Sequence, residues 1–229
     1  MRACVVVPAL DARDTVGKVI DEVRAVCHLA TIVVDDGSSD GTATVAREHG
    51  AVVMRHDRNR GKGAALLTGL REAARLDFDC AVTVDADGQH PAASAHAVLS
   101  ASAGPRALVL GVRDLVRDGA PSSNRFGNLV SNVFLSAFCG RRLRDTQCGL
   151  RRYPVSETLA LGARAHGYAF EAEVVLRAVA AGVPVIEIPV VSRYPQGIFV
   201  RSHFRRSRDP AAIVATVIRT VVETRLHLR

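Results

Sequence analysis

Asp79-Cys80-Ala81-Val82-Thr83-Val84-Asp85-Ala86-Asp87-Gly88-Gln89-His90-Pro91 is an apolar run that ends in two carboxylates one residue apart. Cys80 to Val84 are small or β-branched side chains suited to a strand covered on both faces, and Gly88 and Pro91 stop the extension within a few residues. In open α/β sheets ligands bind just beyond the carboxyl ends of the strands, so the polar cluster marks a site. Side chains two apart in an extended segment share a face. This aims Asp85 and Asp87 at one divalent cation and puts Gln89 next on that side if the extension persists. All-oxygen ligand sets suit Mg²⁺ or Mn²⁺, which are commonly shared with substrate phosphates. Asp, Gly and Pro are also ordinary turn residues, so a solvated strand-to-loop turn competes for this stretch taken alone.

The same strand, loop and helix alternation extends in both directions. Residues 3–7 form a β-branched run ending at Pro8, followed by a helical pattern from Asp14 to Val26 with Val16, Val19, Ile20 and Val23 on one face. A strand from Ala30 to Val34 leads into the loop Asp35 to Thr42, where Asp40 or Thr42 is placed to cap a helix from Thr44 to His49. A third strand (Ala51 to Met54), the loop Asp57-Arg58-Asn59-Arg60-Gly61-Lys62-Gly63 and a helix (Ala64 to Arg75) precede the Asp85 strand. Beyond it come a helix (Ala92 to Ser102), a strand (Ala107 to Val112) ending at Arg113, and an apolar-periodic segment (Asn124 to Phe138) with Arg125 in its first turn. A helix from Phe170 to Ala181 carries Glu171 and Glu173, and a strand runs from Val183 to Ile188. Such alternation means right-handed crossovers and a mostly parallel, Rossmann-like sheet flanked by helices. No Gly-x-Gly-x-x-Gly follows the first strand and no complete P-loop surrounds Gly61-Lys62-Gly63, which argues against dinucleotide or Walker-type ATP binding.

The chain has 229 residues, 48% of them hydrophobic, enough for one large α/β domain. Five cysteines (Cys4, Cys27, Cys80, Cys139, Cys148) show no CxxC spacing and mostly sit in apolar runs, as reduced core thiols do in a cytoplasmic protein. Charge is uneven. Residues 1–140 carry 15 Lys+Arg against 16 Asp+Glu, whereas residues 141–229 carry 15 Arg against 7 acids, within an overall +7. The C-terminal third therefore faces something anionic: a phosphate-bearing substrate or an anionic membrane surface before nucleic acid, since aromatics are 4% and Trp is absent. From Pro210 to Arg229, Ile213, Val214, Val217, Ile218, Val221 and Val222 recur at helical spacing with Arg219, Arg225 and Arg229. This describes a basic amphipathic helix lying on a membrane, on the domain or on a second subunit. The division expected is a catalytic domain over 1–205 and this helix over 206–229.

Val33-Val34-Asp35-Asp36-Gly37-Ser38-Ser39-Asp40-Gly41-Thr42, Asn59-Arg60-Gly61-Lys62-Gly63 and Asp85-Ala86-Asp87-Gly88-Gln89-His90-Pro91, in this order and spacing, resemble family-2 glycosyltransferases, most closely the dolichyl- or polyprenyl-phosphate mannosyl- and glucosyl-transferases. Gly111-Val112-Arg113, Asp145 to Arg151 with Tyr153, and Gly167 to Glu173 agree with this. The resemblance implies the A-type glycosyltransferase fold, a UDP- or GDP-sugar donor, a lipid-phosphate or lipid acceptor, inverting transfer and a cytoplasmic place at the inner membrane face. It implies nucleotide-sugar contacts from Pro8, Leu10, Val34, Asp36, Lys62, Asp85, Ala86 and Asp87. Asp85, Asp87 and Gln89 would hold the metal, with Asp85 and Asp87 central to catalysis. Arg113 and Arg125 would bind an acceptor phosphate. Glu171 or Glu173 would serve as base or acceptor contact, or else as structural carboxylates paired with an Arg.

Two departures from the family pattern concern specificity. Leu10 and Ala12 stand where the family has an aromatic and a glutamate, which leaves the nucleotide and sugar open. Tyr194-Pro195-Gln196-Gly197 and Arg201-Ser202-His203-Phe204-Arg205 replace the Gly-Glu-Ser-Lys of the polyprenyl-phosphate enzymes, which leaves an alcohol acceptor open. Two different functions compete with glycosyl transfer. A sugar-1-phosphate nucleotidyltransferase would want a Gly-rich loop where Pro8-Ala9-Leu10-Asp11 stands, and a non-catalytic sugar-nucleotide-binding partner of a membrane complex would need no turnover at Asp87.

Overall fold

Along β1 (Ala3–Ala9), Cys4 and Val6 pack into one layer of the core while Val5, Val7 and Ala9 pack into the other. A two-residue period with both faces apolar requires helices on both sides of the sheet. They are supplied by a computed structural model that describes residues 1–194 and 208–226, with no side chains described for 208–212 or 225–226. α1 (Arg13–Cys27), α2 (Thr42–Glu48) and α4 (Ala92–Leu99) cover one face. α3 (Lys62–Arg75), α5 (Ser122–Cys139) and α7 (Ala169–Ala180) cover the other. Between them run β2 (Ala30–Asp35), β3 (Val52–Arg55), β4 (Cys80–Thr83), β5 (Leu108–Arg113), β6 (Arg151–Pro154) and β7 (Val185–Val190). Ile20 of α1 and Leu66 of α3 are fully buried on opposite faces, each worth about 1.5–3 kcal/mol of apolar transfer.

The seven strands lie in the order β3-β2-β1-β4-β6-β5-β7. β6 pairs antiparallel with both β4 and β5, and the remaining pairs are parallel. Six strands thus end on one edge, and the chain reverses its direction of travel across the sheet between β1 and β4. That is the switch point at which crevices form in open α/β sheets.

Four local readings are corrected. β4 stops at Thr83, and the chain turns through Ala86 and Asp87 to Gly88 at φ +74, so the extended alternation does not carry Gln89 onto the carboxylates' face. The N-cap position of α2 is held by Gly41 and not by Asp40 or Thr42, but Asp40 Oδ1 accepts the N–H of Thr42, the first residue of the helix, at 2.9 Å. Both side chains also reach across: Arg13 N–H donates to Asp40 Oδ2 at 3.0 Å and Ala12 N–H to Thr42 Oγ1 at 2.9 Å, holding the start of α1. β6 and α6 (Val155–Ala160) are additional elements, unread because Arg-Arg-Tyr-Pro has no strand pattern of its own. The stretch Asn124–Phe138 is the inner part of α5, which begins at Ser122.

α8 (Arg208–Leu226) packs on α7 through Val217 and Thr220, which are fully buried, and through the Arg177–Glu223 ion pair. Its other apolar stripe, Val214, Ile218 and Val222, faces outward. Residues 195–207, including Arg201 to Arg205, lie outside the described residues, as does Arg229. No helix among the described residues is long and apolar enough to cross a membrane.

Candidate active site

Asp85, just past the end of β4, accepts Lys62 Nζ at 2.7 Å; Lys62 opens α3 from the other side of the crevice. The ammonium also lies 3.5 Å from Glu171 Oε1 and 5.6 Å from the centroid of the Tyr168 ring. Burial pulls the Lys62 pKa down, but Asp85 and then Glu171 outweigh it and leave the pKa above that of an ordinary lysine. Burial likewise pushes Asp85 up, and Lys62, then His90, bring it below the usual carboxylate range. Asp87 has no such partner. Burial, then the charge of Asp85, raise it to about 6, against the hydrogen bond from Gln89 N–H at 2.9 Å and the more distant charge of Lys62. Lys62 is shared by Asp85 and Glu171, so the carboxylates gathered here, Asp87 included, outnumber the one ammonium that pairs with them. Oxygen donors in that condition fit Mg²⁺ or Mn²⁺. His90 beside them is buried, its Nδ1 has no partner among the described residues, and burial pushes its pKa down to about 4, so the ring is neutral at physiological pH.

Glycine at 149 is what lets the Lys62–Asp85 pair lie beneath the loop entering β6. A Cβ there would overlap Asp85 Oδ2 and come within 2.7 Å of Lys62 Nζ. Gly149→Ala is therefore expected to lower kcat by roughly tenfold or more by displacing the pair. Its melting temperature should fall by no more than a few degrees, because the lysine end can move. Steady-state kinetics with a thermal melt on the same protein check this; unchanged kcat would mean that the pair is not needed in this position.

Asp36 follows β2 and is buried, with both carboxylate oxygens engaged. Arg60 N–H donates to Oδ1 at 2.9 Å and Gly61 N–H to Oδ2 at 2.7 Å, while His56 Nδ1 lies 2.6 Å from Oδ1. The other ring nitrogen, Nε2, is 2.9 Å from Thr68 Oγ1 of α3. The structure thus sets Asp36 beneath the loop that delivers Lys62. Gly37, at φ +82, allows the two loops to meet, since a Cβ there would come within 2.7 Å of Asn59 N. Val34 is wholly buried under α3 and Pro8 is paired with it across β1 and β2. Leu10 sits half-buried at the β1 end of the crevice, and Ala86 is buried in the turn between the two carboxylates.

A second concavity of about 1070 Å³ opens beside the end of β5, between the 113–117 loop, α5 and the 140–144 loop. Its lining includes Arg113, Arg117, Arg125, Arg141, Arg142 and Arg144. Arg113 is tied to Asp145 by two bonds, Nε to Oδ2 at 2.7 Å and Nη2 to Oδ1 at 3.0 Å, and Nη1 donates to Tyr194 at 3.1 Å. Burial lowers its pKa and Asp145 more than reverses this. Arg125 in the first turn of α5 is exposed and has no partner among the described residues, so an anion would be favoured there by the guanidinium and the helix end together. Asn128, one turn on, lines the same groove with its Oδ1 buried and unpartnered.

Glu171 and Glu173 part company. Two positions apart on α7 they point about 200° apart, so both cannot face one site. Glu171 reaches Lys62, and its Oε1 lacks a hydrogen bond. Glu173, fully buried, accepts from Arg164 N–H at 2.8 Å, Ala165 N–H at 2.6 Å and Arg177 Nε at 2.8 Å, and belongs to the α7 framework. Sequence reading missed His56, Gly149 and the neutral His90. His56 and His90 were marked only by lying just past the carboxyl ends of β3 and β4.

The sequence profile of glycosyl transferase family 2 matches residues 4–156. The chain is 30% identical over 203 residues to polyprenol monophosphomannose synthase of Mycolicibacterium smegmatis, covering 82% of this chain and 76% of that protein. It is 26% identical over 241 residues to undecaprenyl-phosphate mannosyltransferase of Micrococcus luteus, covering 100% of this chain and 96% of that one. Glucosyl-3-phosphoglycerate synthase from Mycobacterium tuberculosis, crystallised with Mn²⁺, UDP and glucosyl-3-phosphoglycerate, has the same fold, with a TM-score of 0.74 at 20% identity over 96% of this chain and 80% of that one. With the profile running unbroken from β1 through β6 and the carboxylate pair at the switch point of the sheet, the chain belongs to glycosyl transferase family 2 and is a glycosyltransferase.

Proposed function

We propose that the chain transfers a hexose, with inversion, from a nucleoside-diphosphate sugar to a lipid-linked phosphate. Asp85 and Asp87 would hold Mg²⁺ or Mn²⁺, with Gln89 beside them in the turn. The observation that carries this reading is that the Lys62–Asp85 pair past the end of β4 and the arginine-lined groove at Arg113, the end of β5, both open on the carboxyl edge of the sheet. One anion-binding region for the donor and one for the acceptor thus adjoin. The relatives named for polyprenol and undecaprenyl phosphate support a phosphate acceptor over an alcohol.

When bound, the metal would neutralise charge building on the leaving diphosphate. Lys62, held by Asp85 and Glu171, keeps a second positive charge on the donor side. Asp36 and His56 act through the 57–61 loop, fixing where Lys62 enters the crevice. Arg125 and Arg113 orient the acceptor phosphate, one of whose oxygens bonds to the anomeric carbon as the carbon–oxygen bond to the diphosphate breaks and its electron pair leaves with the nucleotide. A phosphate monoester is largely ionised at neutral pH, so no general base is required, which accords with Glu173 being sealed in the framework. Removing one charge-assisted contact, Arg125→Ala, is expected to raise the acceptor KM roughly ten- to a hundredfold with kcat little changed. An unchanged KM would assign the phosphate to the other arginines.

The test is transfer from radiolabelled UDP-glucose, UDP-N-acetylglucosamine and GDP-mannose to polyprenyl phosphate in detergent, with Mn²⁺, Mg²⁺ or EDTA. One donor should give a labelled lipid, and EDTA should abolish it. Transfer to a polyprenol but not to its phosphate would overturn the acceptor, and metal-independent transfer would overturn the role of Asp85 and Asp87.

A further inference from the structure

The C-terminal half of α5 packs Leu135 and Cys139 into the core, but its N-terminal half is amphipathic the wrong way round for a globular core. Its inward face carries Asn128 and Asn132, 4% and 9% exposed, and Asn132 is fastened to the 144–146 loop by Nδ2 to Arg144 O at 2.6 Å and by Thr146 N–H to Oδ1 at 2.8 Å. Its outward face carries Phe126, Leu129, Val130 and Val133 at 70%, 59%, 53% and 64% exposure. These four stand at i, i+3, i+4 and i+7, a continuous apolar stripe two residues wide. Val116, 71% exposed, adds to the apolar surface from the loop across the groove. Leaving such a stripe in water forfeits the transfer energy of several large side chains, and a face of this extent marks an interaction surface.

The charges around it identify the partner. Arg125 lies at the start of the helix, Arg141 and Arg142 just past its end, and Arg117 in the facing loop, and Arg125 and Arg142 have no counter-ion among the described residues. An apolar stripe bounded by cations matches the boundary between acyl chains and anionic headgroups, where the ring and aliphatic groups enter and the guanidinium groups remain at phosphate level.

We infer that α5 is the membrane-docking element of this protein and inserts its Phe126–Val133 face into an anionic bilayer. The groove, which Leu129 and Val133 of the same stripe line together with Arg125 and Asn128, then opens at headgroup level, and a lipid-linked phosphate reaches Arg125 without leaving the membrane. This deepens the reading of a lipid acceptor and rests on it for its purpose, but docking is measurable with neither donor nor acceptor. The outward stripe of α8 is the weaker candidate. Val214, Ile218 and Val222 form a line one residue wide, and the opposite face of that helix is already packed on α7.

Because the chain contains no Trp, Phe126→Trp and, separately, Ile218→Trp give single-fluorophore reporters of the two helices. Vesicles of phosphatidylcholine with phosphatidylglycerol, free of polyprenyl phosphate, should blue-shift the Phe126→Trp emission, and brominated acyl chains should quench it. Pure phosphatidylcholine or high salt should weaken the effect. Phe126→Asp with Val130→Asp should lower co-sedimentation with anionic vesicles at least about tenfold while far-UV circular dichroism stays unchanged. That double variant should still transfer sugar to a short-chain, detergent-dispersed acceptor, so loss of docking and loss of catalysis are read separately. Quenching at Ile218→Trp alone would overturn the inference in favour of α8. Equal co-sedimentation of the double variant would overturn it, and so would a wild-type dimer in light scattering that the double variant reduces to a monomer, since the face would then belong to a second copy of the chain.

Discussion

Asp87→Asn is expected to reduce sugar transfer by roughly 10²- to 10³-fold and, at the same time, to make the metal-free protein more stable near neutral pH. The two effects have one source. Burial and the charge of Asp85 raise Asp87 to about 6 in the folded chain, from an ordinary 3.8. A group whose folded pKa is raised contributes stability that is fully present below its unfolded value and lost as pH rises through the folded one. The ionised Asp87 is therefore a burden at pH 7.5 and none at pH 3.5. Asparagine removes the charge, a gain on the order of 1–3 kcal/mol at pH 7.5. The melting-temperature gap between variant and wild type should widen from pH 4 to about pH 6.5 and then level. Mn²⁺ or Mg²⁺ should narrow it by stabilising the wild type alone. A gap that does not change with pH would show Asp87 to be an ordinary solvated carboxylate, and full transfer by the variant would remove it from the machinery.

The largest loss of stability is expected from Asp145→Asn. The Asp145 side chain is wholly buried and accepts Arg113 N–H at 3.1 Å, both guanidinium bonds and Gln147 N–H at 3.2 Å. Asparagine keeps one acceptor and turns an amine toward the guanidinium, so Arg113 is left as an uncompensated, mostly buried charge. Breaking such a pair costs about 3–5 kcal/mol, which for a chain of this size is roughly 10 °C in melting temperature. The double replacement Arg113→Leu with Asp145→Leu should recover more than half of that stability and none of the acceptor binding. If the single and double variants melt together, the pair contributes nothing beyond its packing volume.

The parallel part of the fold was legible because its signals are local. β-branched runs of four to six residues, each followed by a polar loop and a helical period, give β1 to β5 and α1 to α4 whatever surrounds them. β6 was hidden because its evidence lies elsewhere in the chain. Two adjacent arginines carry no apolar strand signal, yet Arg151 and Arg152 are both fully buried. Arg151 donates to the carbonyls of Cys148, Glu171 and Thr146, and Arg152 to those of Leu99, Ala101, Ala103 and Gly104. No composition rule reveals a carbonyl cage built from distant segments. The site divides in the same way. Asp85, Asp87, Lys62 and Arg113 all sit at strand ends or a helix start on one edge, where topology alone sends them. Asp36 and Glu173 needed the third dimension, because whether a carboxylate faces a ligand or a neighbouring backbone is decided by the loop that folds over it. In the tail the apolar spacing was readable, but which of its two stripes would be covered was not.

The position of β6 has a consequence for how the protein is made. It lies between β4 and β5, yet it leaves the ribosome after both. A nascent chain some 140 residues long can assemble β3-β2-β1-β4, but β5 has no neighbour to join, since β6 and β7 are still to come. The inner edge of β4 then stands unpaired in a half-built sheet, rich in Ala and Val and open to pairing with another chain. Completing the sheet requires residues 151–154 to enter its middle, drawn in by contacts formed far apart in sequence, which is a slow step by topology. Truncation before that strand should leave an aggregation-prone fragment rather than a smaller domain, and holding the chain until β6 arrives is work suited to a chaperone.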